Sequence, residues 1–124
     1  MYEHDPLTEV IIGCAFKVRH YLGAGLLESA YQTFLGHEFS RLNLCFVSQE
    51  TFPVTYDGIE VKVGFRPDFV VDEKVIVELK TVTTILPIHK AQVLTYLRLT
   101  GIKTGLLINF HAMPFSSGIN RLSL

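Results

Sequence analysis

Two short β-forming runs joined by a polar turn constrain this chain more than any other stretch. Phe69, Val70 and Val71 are apolar, Asp72-Glu73-Lys74 is turn-like, and Val75 to Leu79 is rich in β-branched residues, which suits a buried strand. Against this apolar background three charges stand out: Asp68 where the first run begins, and Glu78 and Lys80 where the second ends. Side chains alternate faces along a strand, so Glu78 and Lys80 share one face and Leu79 takes the other. Paired as a hairpin, the strands bring Asp68 beside Glu78, and two carboxylates and an ammonium then share one patch at the end of a sheet. Carboxylates that close raise each other's pKa unless a cation lies between them. A hard divalent ion, Mg2+ or Mn2+, takes oxygen ligands and often uses only one or two protein carboxylates. The bland alternative is a set of solvated charges on an antiparallel hairpin, because short charge motifs recur by chance.

The rest of the chain alternates helical and extended patterns. Asp5-Pro6 starts a helix, with Glu9 in its first turn and an apolar stripe of Val10, Ile11, Cys14, Ala15 and Val18 running to Tyr21. Lys17, Arg19 and His20 lie near its end, where cations suit the helix dipole. Gly23-Ala24-Gly25 breaks the pattern, and a second helix is expected from Leu26 to about Leu42. Glu28 and Tyr31 share a face of it. Glu28 reads either as a first-turn acid or as a site group; Tyr31 either orients Glu28 through its hydroxyl or fills the core. Cys45 to Tyr56 reads as extended, Asp57-Gly58 as a hairpin turn, and Ile59 to Gly64 as a half-buried strand. Arg66 either contacts phosphate or offsets nearby acid. Pro87 opens a third helix on which His89, Gln92 and Tyr96 share a polar and aromatic face, and Gly101 ends it. Gln92 reads as a partner of Lys80, of water or of phosphate, or as a surface residue. Thr104 to Phe110 is a last buried strand, and Ile119 to Leu122 an edge strand. The helix between the strands ending at Lys80 and centred on Leu106 is a crossover, so those strands are expected to be parallel.

With 124 residues, 48% of them hydrophobic, the chain is expected to form one domain over residues 1–124. No apolar run approaches the roughly 20 residues of a membrane span. Asp5 and Glu9 interrupt any leader-like region, so no membrane association and a cytoplasmic location are expected. Cys14 and Cys45 are isolated in apolar surroundings and read as buried thiols. The formal net charge of −1 argues against tight, autonomous nucleic-acid binding, because phosphate neutralisation supplies much of that affinity. A nucleic-acid enzyme of this size is expected to hold its substrate weakly, or to work with a partner or as a homo-oligomer.

Pro67-Asp68, nine intervening residues and Glu78-Leu79-Lys80 resemble the signature of the PD-(D/E)XK nuclease superfamily. Gly25-Leu26-Leu27-Glu28-Ser29-Ala30-Tyr31 resembles the motif that names the GxxExxY protein family, and Gln92-Val93-Leu94-Thr95-Tyr96 resembles the Q-x-x-x-Y element of RecB-type and related exonucleases. The resemblance runs through nearly the whole chain. It implies an α/β architecture, an α+β mixed sheet with a restriction-endonuclease-like αβββαβ core and helices packed on it. It implies hydrolysis of phosphodiesters, more in DNA than RNA, with one or two Mg2+ or Mn2+ ions. Asp68, Glu78 and the Leu79 carbonyl are the implied metal ligands, and Glu28 joins them directly or through water. Lys80 is implied to orient or deprotonate the water and to stabilise the transition state, with Gln92 beside it in the catalytic set. Tyr31, Arg66, His89 and Tyr96 complete the residues expected to position substrate. The rival expectation is a binding or assembly module that keeps the fold and no longer cuts.

Overall fold

The structure, a computed structural model, describes residues 5–124. The first helix, α1 (Pro6–Leu22), begins as its sequence dictates: the Asp5 carboxylate accepts the Leu7 N–H at 2.9 Å and Pro6 fills the first helical position. Helix α2 (Glu28–Arg41) starts later than the apolar pattern suggests, because Leu27 is still extended and serves as its N-cap. Between the helices Gly23 and Gly25 take φ of 76° and 102°, conformations that a side chain would strain. Among the described residues no helix is long and apolar enough to cross a membrane.

A five-stranded sheet runs in the order β1 (Phe46–Ser48), β4 (Phe69–Val71), β5 (Val75–Lys80), β6 (Thr104–Asn109), β7 (Ile119–Ser123). Only β5 and β6 are parallel, joined by helix α3 (Pro87–Thr100) as the crossover; the other neighbours are antiparallel. The sequence α2, β1, β4, β5, α3, β6 is an αβββαβ core, a mixed α+β architecture consistent with a restriction-endonuclease-like fold. Strand alternation divides the interior in two. Val75, Val77 and Leu79 face α1 and α2 with Ile11, Leu35, Phe39, Leu106 and Ile108, whereas Ile76 faces α3 with Val93, Leu97 and Leu107. Each such aliphatic side chain removed from water contributes about 1.5–3 kcal/mol, so β5, apolar toward both layers, anchors the sheet.

Three sequence expectations are corrected. The extended stretch from Cys45 to Tyr56 is two strands in two different sheets, because Gln49 turns the chain with φ of 59°. Strand β2 (Phe52–Tyr56) leaves the main sheet and pairs with β3 (Ile59–Phe65) alone, as a two-stranded arm. Strand β3 is therefore exposed from Ile59 to Gly64 rather than half-buried, since no layer covers either of its faces. Cys14 is buried and Cys45 is exposed, and both are free thiols.

The approach of α3 to the sheet depends on Gly105, where a Cβ would lie 2.6 Å from Val93 Cγ1. Val93 is fully buried and stiff at χ1, so it cannot swing aside. Gly105→Ala is expected to cost about 1–3 kcal/mol by overpacking, read as a lowered urea midpoint. An unchanged midpoint would show that α3 is free to move off β6.

Candidate active site

The β4–β5 ladder pairs Phe69 with Val77, so the next position outward sets Asp68 opposite Glu78. Their carboxylates do not simply face one another. The Asp68 N–H donates to Glu78 Oε1 at 2.8 Å, and the Leu79 N–H donates to Asp68 Oδ2 at 2.8 Å. Each acid thus satisfies a backbone donor on the opposite strand where the regular ladder stops. Two glutamines that sequence reasoning missed hold the same corner. Gln49 donates from its backbone to the Asp68 carbonyl at 3.1 Å and from Nε2 to Asp68 Oδ1 at 3.2 Å. Gln32 Nε2 donates to the Asp68 carbonyl at 3.0 Å and to Ser48 Oγ at 2.8 Å. No motif flags a lone glutamine; the one available signal was that Gln32 follows Glu28 by a helical turn.

The Leu79 carbonyl is aimed by strand geometry. Successive carbonyls of a strand point to opposite sides, and that of Lys80 accepts the Phe110 N–H at 2.9 Å on the β6 side. The Leu79 carbonyl therefore points to the β4 side, beyond the start of that strand at Phe69, toward the two acids. Lys80 and Glu78 share the face covered by α3, and Lys80 Nζ donates to Gln92 Oε1 at 3.3 Å. Tyr96, one turn further along α3, stacks on Phe65 with ring centroids 4.7 Å apart, and Phe65 stacks on Phe52 at 5.3 Å. This ladder ties the base of the β2–β3 arm to the site.

The remaining expected site residues have the following surroundings. Tyr31 is fully buried and stacks on Phe110 at 4.4 Å. Its hydroxyl donates to the Gly23 carbonyl at 2.6 Å and accepts the Leu26 N–H at 3.2 Å, so it cannot meet substrate and does not bond Glu28. It fixes the loop that delivers Glu28 to the start of α2. His89 Nδ1 accepts the Leu86 N–H at 2.9 Å, which commits that nitrogen to the start of α3. Arg66 is exposed where the arm meets the sheet.

The electrostatics mark a patch with excess negative charge. Burial, then the nearby Asp68 charge, pushes the Glu78 carboxyl from its ordinary 4.5 up to about 8. Burial also raises Asp68, opposed by the Leu79 N–H and by Lys80. Glu28 is raised by burial and then by Asp68, with Lys80 opposing. The Tyr96 phenol is raised by burial and by the Glu78 and Asp68 charges, so it too borders the acids. The donor set of two carboxylates and a backbone carbonyl fits a hard divalent ion, whose charge would relieve this repulsion. Among the described residues no group of three or more His, Cys, Asp and Glu side chains is drawn together as a ready-made metal cage. Glu28, at the head of α2, is near enough to Asp68 and Lys80 for both charges to act on its carboxyl.

The description PD-(D/E)XK nuclease superfamily matches the chain over residues 5–122. No curated protein and no solved structure is significantly similar to it.

The raised Glu78 carboxyl has a signed consequence for stability. The unfolded chain loses this proton near pH 4.5, whereas the folded chain keeps it to about pH 8. The contribution is complete below the first value and disappears as pH rises through the second. Asp68 and Glu28 are displaced in the same direction. In chelator-treated protein the urea midpoint is expected to fall between pH 5 and pH 8.5, and Glu78→Gln, neutral throughout, to flatten most of that slope. A wild-type midpoint that rises over this range would show Glu78 ionised in the folded chain.

Proposed function

The chain belongs to the PD-(D/E)XK nuclease superfamily, and from that premise we propose that it is a nuclease hydrolysing phosphodiester bonds in nucleic acid, DNA in preference to RNA, with Mg2+ or Mn2+. The observation that carries this reading is the conjunction of Asp68 opposite Glu78 with a Lys80 ammonium held by Gln92. Asp68, Glu78 and the Leu79 carbonyl would hold the ion, with Glu28 joining them directly or through water. When bound, the ion supplies Lewis-acid polarisation of the phosphate and a lower pKa for its water. Lys80 would orient the attacking water and offset charge on the phosphorane-like transition state as an ammonium, or take the water's proton as the neutral amine. Gln92 fixes the lysine. Tyr96 and the exposed Arg66 meet the substrate backbone, and His89 retains Nε2 for a phosphate.

The motif Gly25, Glu28 and Tyr31 supports placing the chain in the GxxExxY family. Its geometry has a physical sense: Gly25 allows the left-handed turn, Tyr31 pins the loop, and Glu28 is thereby held at the edge of the acidic patch. We take residues 1–124 as one nuclease-like domain acting in the cytoplasm, a compartment that suits two free thiols. The net charge of −1 supports weak substrate binding, assisted by a partner or a second copy. The same charge favours the second reading, a binding or assembly module that keeps the fold without cutting.

Lys80→Ala is expected to lower cleavage by about 100- to 1000-fold while leaving metal binding nearly intact. Glu78→Ala is expected to lose both. The assay uses labelled single- and double-stranded DNA and RNA with Mn2+ at low salt, where phosphate contacts are least screened. Equal trace cleavage by wild type and Lys80→Ala would mean a contaminant, and the assembly module would replace the nuclease.

A further inference from the structure

The β2–β3 arm is an unusual surface for a protein of this size. A two-stranded hairpin is marginally stable alone, and sheets gain independent stability at three strands or more. Yet Tyr56 is 81% exposed, Ile59 70%, Val61 55% and Val63 67%. The outer edge of β3 pairs with no strand among the described residues. This edge is seven residues long and free of proline, whereas β2 carries Pro53. A long, proline-free, unpaired edge is a template for adding a strand whose charges match its own.

The sequence of β3 states which strand fits. Ile59-Glu60-Val61-Lys62-Val63 is self-complementary when read antiparallel about Val61. A two-fold axis there sets Val61 against its own copy, Ile59 against Val63, and Glu60 against Lys62 twice. Moving the axis to Glu60 opposes two carboxylates, and moving it to Lys62 opposes two ammonium groups, both destabilising in directly opposed pairs. An axis between residues sets a charge against an aliphatic side chain. Of the registers that keep Ile59 to Val63 fully paired, the one about Val61 matches every aliphatic side chain with an aliphatic one and every charge with its opposite. Among the described residues neither Glu60 nor Lys62 has an ion-pair partner within its own chain.

We propose that the occupant of this edge is a second copy of the chain, giving an isologous dimer through antiparallel β3–β3 pairing about Val61. The two arms become one four-stranded sheet in the order β2-β3-β3-β2, with Ile59, Val61 and Val63 of both copies brought onto shared ground.

Sedimentation equilibrium tests this with charge exchanges at exposed positions, circular dichroism reporting that each variant is folded. Wild type is expected to dimerise. Glu60→Lys and Lys62→Glu should each weaken self-association by about tenfold or more, because both charge pairs become repulsive. The double variant Glu60→Lys/Lys62→Glu should recover the dimer, since the exchange restores both pairs. An equimolar mixture of the two single variants should form a heterodimer for the same reason. A monomeric wild type, single variants that associate like wild type, or a mixture that fails to recover would each overturn the proposal. An arm that holds nucleic acid instead would leave wild type monomeric and make Glu60→Lys bind labelled DNA more tightly, which overturns it as well.

Discussion

The crossed hydrogen bonds between Asp68 and Glu78 and the backbone of each other's strand are the interaction on which the rest of the site depends. They hold two acids together at the point where the β4–β5 ladder ends. They also spend one oxygen of each acid on the fold, while strand alternation aims the Leu79 carbonyl toward the same pair. Asp68 is further tied to β1 and α2 through Gln49 and Gln32, so three elements converge on one residue. A change in any of them moves the acid pair, which makes this corner a structural joint as well as a chemical one.

Such a joint is costly. Burial first, and then the neighbouring Asp68 charge, pushes the Glu78 carboxyl up to about 8, so this corner accommodates two negative charges poorly. The compensation lies along the same strand. Val75, Ile76, Val77 and Leu79 are fully buried and draw stabilisation from both layers of the core. The sheet can therefore carry an electrostatically unfavourable end because its middle is apolar on both faces. On the far side of the acids, Lys80 and Gln92 link β5 to α3, and the ring stack of Tyr96, Phe65 and Phe52 links α3 to the arm. The acid pair, the lysine and the arm are thus parts of one connected region.

Much of this was legible in the sequence, for definable reasons. The β-branched run of β5 and the turn at residues 72–74 set the hairpin register, and with it the placement of Asp68 opposite Glu78. The helix between two buried strands required a parallel crossover, which put Gln92 on the Lys80 face. What was not legible were effects of tertiary context. The left-handed Gln49 splits an extended stretch into strands of different sheets, and no local propensity marks a glutamine for that conformation. Alternation in β3 gave the correct two faces but could not say that neither would be covered. Tyr31 had two readings with the same periodicity, and only the positions of Gly23 and Leu26 decide that its hydroxyl serves the loop. The exposure of Cys45 follows from the same cause, since composition near a residue does not fix which layer lies over it.

The central claim is that Asp68 and Glu78 form a divalent-ion site whose unfavourable charge the ion relieves. Calorimetric titration of the chelator-treated protein with Mn2+ near pH 7, in buffers of different ionisation enthalpy, tests it most directly. Because Glu78 is protonated at that pH in the metal-free protein, binding must release protons, and the apparent heat must vary with the buffer. Saturable binding with proton release in wild type, and neither in Glu78→Ala, is the result this account predicts. No binding at millimolar Mn2+, or binding that persists unchanged in Glu78→Ala, would contradict it.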